Sequence, residues 1–183
     1  MRAFLPTLIA LASLAACHEA TPEELAKAGI ERHRAHEYAQ AIELYRRSLE
    51  LHDDAGVRAS LARALAAAGN FADSAQEYQR LLKDQPQNGT IWQDYGLLLE
   101  SCIKDLKGAE EALFNATKYP PKSPEASYHL GRVLMQRGRY EEAGACFEAA
   151  ISLAPPKAAW LQDAQEQQVQ AYLLAKKGPP PPR

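Results

Sequence analysis

The chain repeats itself every 33–35 residues, in several columns that share one set of irregularities. Tyr38, Phe71, Leu106 and Tyr140 are separated by 33, 35 and 34 residues. Tyr45, Tyr78, Leu113 and Phe147 give the same intervals. So do Ala41, Ser74, Ala109 and Ala143, and again Asp53, Pro86, Pro121 and Pro155. An earlier column, Gly29, Ala62, Gly96 and Gly131, runs 33, 34 and 35. The mismatch between the two sets puts one extra residue between the two helices of the third unit, within residues 101–105. A unit of this length is one supersecondary element, and it cannot bury its apolar face alone. Columns that hold register over four units therefore restrict the chain to a stack.

Each unit reads as two helices. Alanine, leucine, glutamate, glutamine and arginine dominate, and all are strong helix formers, so almost no strand is expected. A small residue in the Gly29 column lets two antiparallel helices approach. A large residue in the Tyr45 column fills the space beside it. Proline ends the second helix because it cannot continue it. Thr21-Pro22-Glu23-Glu24 has the form of a capping box with proline at the first helical position. Asn88 and Ser123 are later candidate caps. Residues 157–177 predict one more helix, with Trp160, Leu161, Ala164, Val169, Tyr172 and Leu173 on an apolar side and glutamines on the other. The proline-rich end, residues 178–183, is expected to be a disordered extended stub.

The pattern resembles the tetratricopeptide repeat, in which a large residue, Leu-Gly and an aromatic are followed by Ala, an aromatic and Pro. Unit four carries it most fully, with Leu130-Gly131, Tyr140, Ala143, Phe147, Ala150 and Pro155. Unit three has Trp92, Tyr95-Gly96 and Pro121, and unit two has Leu61-Ala62, Phe71, Tyr78 and Pro86. Unit one has Ala28-Gly29, Tyr38, Ala41 and Tyr45, with Asp53 where proline is usual. The resemblance implies an all-α, right-handed superhelix of four hairpins, at about 22–54, 55–88, 89–122 and 123–156, closed by the capping helix 157–177.

The N-terminus carries a second signal. Residues 1–16, MRAFLPTLIALASLAA, have one basic side chain and then no charge from Ala3 to Ala16. That is the layout of a secretory signal, and it is too short to span a bilayer. Leu14-Ala15-Ala16-Cys17 resembles the bacterial lipobox. The resemblance implies diacylglycerol on Cys17, cleavage before it and acylation of the new amine, which together hold a protein stably on a membrane. No other cofactor is expected. His18 stands where many Gram-negative lipoproteins retained at the inner membrane carry Asp, which favours the outer membrane facing the periplasm. Residues 18–21 span at most about 14 Å, so the array would lie close to the membrane.

Other chemistries find little footing. With the signal removed, 20 basic and 23 acidic side chains remain among 167 residues, against the basic stripe of a nucleic-acid partner. Leu14 occupies the place of the first cysteine in a haem-attachment motif ending at Cys17-His18. His33 and His36-Glu37 do not complete a zinc-protease motif, since Gln40 stands where the second histidine is needed. No phosphate loop or G-x-S-x-G is present, so neither an enzyme nor a small-molecule substrate is expected. Cys102 and Cys146 fall on different helices of neighbouring units and are expected to be free thiols.

The family resemblance points instead to the concave face lined by the first helices. Carried over by register, unit one offers Lys27 and His33, and unit two offers Arg63. Unit three offers Asp94, Leu97 and Glu100, and unit four offers Tyr128, Arg132 and Met135. Apolar or aromatic anchors beside charges suit a peptide. The carboxylate clamp of chaperone-type members is not matched, because its places fall on Ala26, Ile30, Ser60, Thr90 and Asp94. The expected role is a lipid-anchored adaptor or assembly factor binding an envelope protein or peptide. It is similar to small lipoproteins that help assemble pilus secretins or outer-membrane machinery. A self-associating scaffold is the alternative, as is an accessory that presents a hydrolase or protease to its substrate.

Overall fold

The computed structural model describes residues 20–177; the signal segment 1–16, Cys17 and the tail 178–183 lie outside the described residues. Within that span the chain forms nine α-helices and no strand. They are α1 (Pro22–Arg34), α2 (Tyr38–Leu51), α3 (Ala55–Ala67), α4 (Phe71–Asp84), α5 (Gly89–Leu98), α6 (Leu106–Lys118), α7 (Pro124–Gln136), α8 (Tyr140–Leu153) and α9 (Leu161–Lys177). Each helix packs on the next in sequence, and α9 also touches α7. The result is an all-α repeat superhelix.

Close approach within each hairpin sets the geometry. A Cβ added to Gly29 would lie 2.6 Å from the Tyr45 ring. At Gly96 it would lie 2.7 Å from Leu113, and at Gly131 2.7 Å from the Phe147 ring. Tyr45, Leu113 and Phe147 are themselves buried, so their side chains have nowhere to retreat. In unit two Ala62 takes the small place and joins a core cluster with Tyr78, Leu81 and Ile91. Ala41, Ala109 and Ala143 are fully buried; Ser74 completes that column by donating its hydroxyl to the Ala62 carbonyl at 2.7 Å. Phe71 and Tyr140, at the starts of α4 and α8, are half-buried.

The turn inside each hairpin repeats too. His36, Gly69, Lys104 and Gly138 all have positive φ, at 60°, 82°, 65° and 74°. They follow the intervals 33, 35 and 34, so the left-handed residue is part of the repeat. Glycine accepts that conformation freely, whereas a side chain there costs roughly 1–2 kcal/mol.

Caps follow the sequence closely. Thr21 and Glu24 form the reciprocal capping box, and Asn88 accepts from the backbone N–H groups of Thr90 and Ile91. Ser123 precedes α7 without a side-chain cap bond, contrary to expectation. The extra residue of unit three is taken up in a segment that overlaps the expected one. α5 ends in a π turn, Leu99–Ile103, whose wider spacing absorbs one residue before Lys104. The last helix starts at Leu161 instead of residue 157. Pro155 and Pro156 open a loop closed by Ala158 N–H donating to Pro155 O at 2.9 Å and Leu161 N–H to Ala158 O at 3.1 Å.

Cys102 and Cys146 are free thiols, and burial pushes Cys146 up to about 11, which keeps it protonated and unreactive at neutral pH. Gly131→Val should lower stability by about 1–3 kcal/mol in urea unfolding followed by circular dichroism, because the Phe147 ring blocks the new side chain. Unchanged stability would mean that helix separation is not fixed by this contact.

Candidate functional site

The first helices of units two to four, α3, α5 and α7, are joined across one face by side chains. Arg63 of α3 donates to Asp94 of α5 at 3.0 Å. Gln93 of α5 donates to Glu125 of α7 at 3.3 Å. His129 Nδ1 on α7 donates to Glu100 in the π turn at 2.9 Å, and the Arg132 guanidinium lies 3.4 Å from the other oxygen of that carboxylate. Between these links opens a cleft of about 390 Å³. Its walls include Arg63, Asp94 and His129, and its floor is apolar, with Leu97, Leu98 and Ala66.

The electrostatics are internally balanced. Burial raises the Asp94 carboxyl above its ordinary range, Arg63 opposes the rise, and Glu125 adds to it. Glu100 is 3% exposed, and its Oε1 accepts no hydrogen bond although Arg132 is near. A buried carboxylate is costly unless paired, so His129 and Arg132 are what make Glu100 tolerable. Glu100 therefore lies beneath the groove instead of lining it, which corrects the sequence expectation.

Tyr128 needs the same correction. Tyr128 is 7% exposed, stacks on Trp160 with ring centroids 5.3 Å apart, and donates its hydroxyl to Asp163 at 2.7 Å. Burial, and then the Asp163 carboxylate, push that hydroxyl up to about 12, so it stays a donor. Met135 is half-buried, one side packed against the core that holds Leu130 and Val133. The physical reason is α9. It covers α7 as a fifth unit would, and so converts an exposed aromatic anchor into a buried clamp. Arg132 remains partly exposed, its guanidinium 5.7 Å from the Tyr128 ring centroid.

Unit one sits apart from this cleft. Lys27 is exposed beside a separate hollow with Ala26, Ile30 and Val57. His33 packs edge-on against Tyr38, with centroids 5.4 Å apart, and burial, Arg63 and His36 lower its pKa. His36 Nδ1 lies 2.7 Å from the Tyr38 hydroxyl. The two histidines thus share an aromatic partner. Among the described residues no group of three or more His, Cys, Asp or Glu could hold a metal.

Of the residues expected in the groove, the structure brings together Arg63, Asp94 and Leu97 at the cleft, with Glu100 below and Arg132 beside it. Ser101 and Cys102 also line the cleft, which was not anticipated. The one signal for them was the extra residue of unit three, since the π turn brings both to the cleft edge.

Two family models described as tetratricopeptide repeat match the chain, over residues 33–94 and 104–158. Solved structures agree in fold. A crystal structure of MamA protein superposes with TM-score 0.68 at 17% identity, covering 85% of this chain and 88% of that one. BtubC from P. vanneervenii gives 0.69 at 17%, covering 84% and 72%. A tetratricopeptide repeat protein from Parabacteroides merdae gives 0.68 at 21%, covering 85% and 59%. No curated protein matches the sequence.

The Asp94 shift has a testable sign. Its folded-state pKa is raised, so the stability it contributes is present at low pH and lost as pH rises through that value. Arg63→Gln removes the opposing attraction, so Asp94 should titrate higher still in carboxyl NMR. Stability should then fall more steeply from the ordinary aspartate range upward. An unmoved titration would show that Arg63 does not reach Asp94 in solution.

Proposed function

The chain belongs to the tetratricopeptide-repeat family, and from that premise we propose that it is a non-catalytic adaptor of the bacterial envelope that holds a partner peptide in its concave cleft. Arrays of this family are generally interaction modules and not enzymes. The observation that carries the reading is the cleft itself. It has an apolar floor at Leu97 and Leu98, and a wall of charges that are already oriented by Arg63–Asp94 and Glu100–His129. Fixed polar groups around an apolar floor lower the ordering cost of binding and select a partner's register. The cleft suits a short amphipathic segment with one apolar anchor.

The anchoring half of the reading rests on the sequence. The lipobox-like Leu14-Ala15-Ala16-Cys17 supports two-step acylation at Cys17, and so attachment to a membrane surface, with the outer membrane facing the periplasm preferred. None of the described helices is long and apolar enough to cross a membrane, so a lipid at Cys17 would supply the hold. An envelope protein would then be the partner, met within reach of the bilayer.

Two experiments test the halves separately. Cys17→Ala should abolish metabolic labelling with a fatty acid and leave the precursor uncut; unchanged labelling and processing would remove the anchor. For the cleft, in-cell crosslinking and mass spectrometry should capture one envelope protein with the wild-type chain and lose it with Arg63→Glu/Leu97→Asp, provided that variant keeps its helical circular-dichroism signal. The same captures from both would put the binding surface elsewhere.

A further inference from the structure

The capping helix α9 buries one side and leaves the other unpartnered. Ala164 and Ala171 face the array and are fully buried. On the opposite side Val169 is 59% exposed and Leu173 57% exposed, with Tyr172 beside them at 43%. Gln162, Glu166, Val169, Leu173 and Lys176 are spaced 4, 3, 4 and 3 residues apart. That is the seam spacing of two helices packed along their length. We propose that this face pairs with the same face of a second copy, α9 against α9, antiparallel about a two-fold axis near residue 171. This inference is independent of what the concave cleft binds.

Charge decides both the occupant and the orientation. The apolar part of the seam is bounded by one acid, Glu166, and one base, Lys176, both exposed and five residues either side of residue 171. In an antiparallel pair Val169 meets Leu173 of the other copy, and Glu166 meets its Lys176, twice by symmetry. A parallel pair would oppose Glu166 to Glu166 and Lys176 to Lys176. Isologous interfaces are self-complementary in this way, with residue i meeting j and j meeting i. Like charges against each other exclude the wrong register. Tyr172 forms a fixed side wall, since its ring packs over Gly144 and its hydroxyl lies 3.2 Å from a Glu148 carboxylate oxygen. A second copy covers the seam while leaving α8 and the cleft undisturbed.

Two helical turns of apolar side chain bury less than the roughly 1,200 Å² of a standard stable interface, so the association is weak and concentration-dependent. Confinement to a membrane surface would favour it by raising the effective concentration.

The test is sedimentation velocity over a wide concentration range, on the chain from residue 17 to 183 carrying Cys17→Ala, so that neither a lipid nor the apolar segment 1–16 can drive association. The parent should shift from monomer to dimer with concentration. Leu173→Asp should stay monomeric with an unchanged melting curve. Glu166→Lys or Lys176→Glu alone should weaken dimerisation by roughly tenfold, and the two together should restore it, because the exchanged charges still meet their opposites. Monomer at every concentration would overturn the proposal, whether the chain after Lys177 covers the seam or nothing does. A dimer indifferent to Leu173→Asp would also overturn it. Failure of the double exchange to restore pairing would overturn the antiparallel register.

Discussion

The distance between paired helices depends on one kind of contact, a small residue on the first helix facing a large buried residue on the second. Gly29 under Tyr45, Gly96 against Leu113 and Gly131 under Phe147 leave no room for a single added carbon. Interiors packed this densely do not adjust smoothly. The separation within each hairpin therefore propagates to the stacking of hairpins. Stacking aligns α1, α3, α5 and α7, and only that alignment lets Arg63 reach Asp94 and Gln93 reach Glu125.

The groove is where the stack is least regular. Unit three carries an additional residue, and the π turn that accommodates it brings Glu100 beneath the surface and carries Ser101 and Cys102 to the cleft. A buried carboxylate is unfavourable, so the neighbouring unit supplies His129 and Arg132 to meet it. One inserted residue thereby adds a buried charge contact between units three and four, beside the Arg63–Asp94 pair that joins units two and three. It also places Ser101 and Cys102 along the cleft at the middle of the array.

The two ends of the chain serve different purposes. At the C-terminal end α9 completes the core, with Trp160 stacked on Tyr128 and Asp163 holding the Tyr128 hydroxyl. Its outer side is less polar than a terminal cap needs, given Val169, Tyr172 and Leu173. At the N-terminal end the first helix is fixed by its capping box and by Ser48, which donates to the Pro22 carbonyl at 2.7 Å. These observations leave the concave cleft and the α9 seam as separate surfaces, so partner binding and self-association need not compete.

The sequence alone determined the helical class, the four-unit register and the small-to-large columns, because each follows from residue types recurring at fixed intervals along the chain. It also indicated Arg63, Asp94 and Leu97 as neighbours, since register assigns residues to a helix face. What it could not determine was which residues on that face meet solvent. Tyr128 and Glu100 have the spacing of groove residues, yet both are buried. The burial of Tyr128 depends on where α9 comes to rest, and that of Glu100 on a π turn that shifts the last residues of α5. The first is packing between elements distant in the chain and the second a local change of helix geometry, and periodicity within one helix carries no information about either. Tertiary structure alone decided that the predicted aromatic anchor is a clamp for the capping helix and that Arg63, Asp94 and Leu97 meet at one cleft.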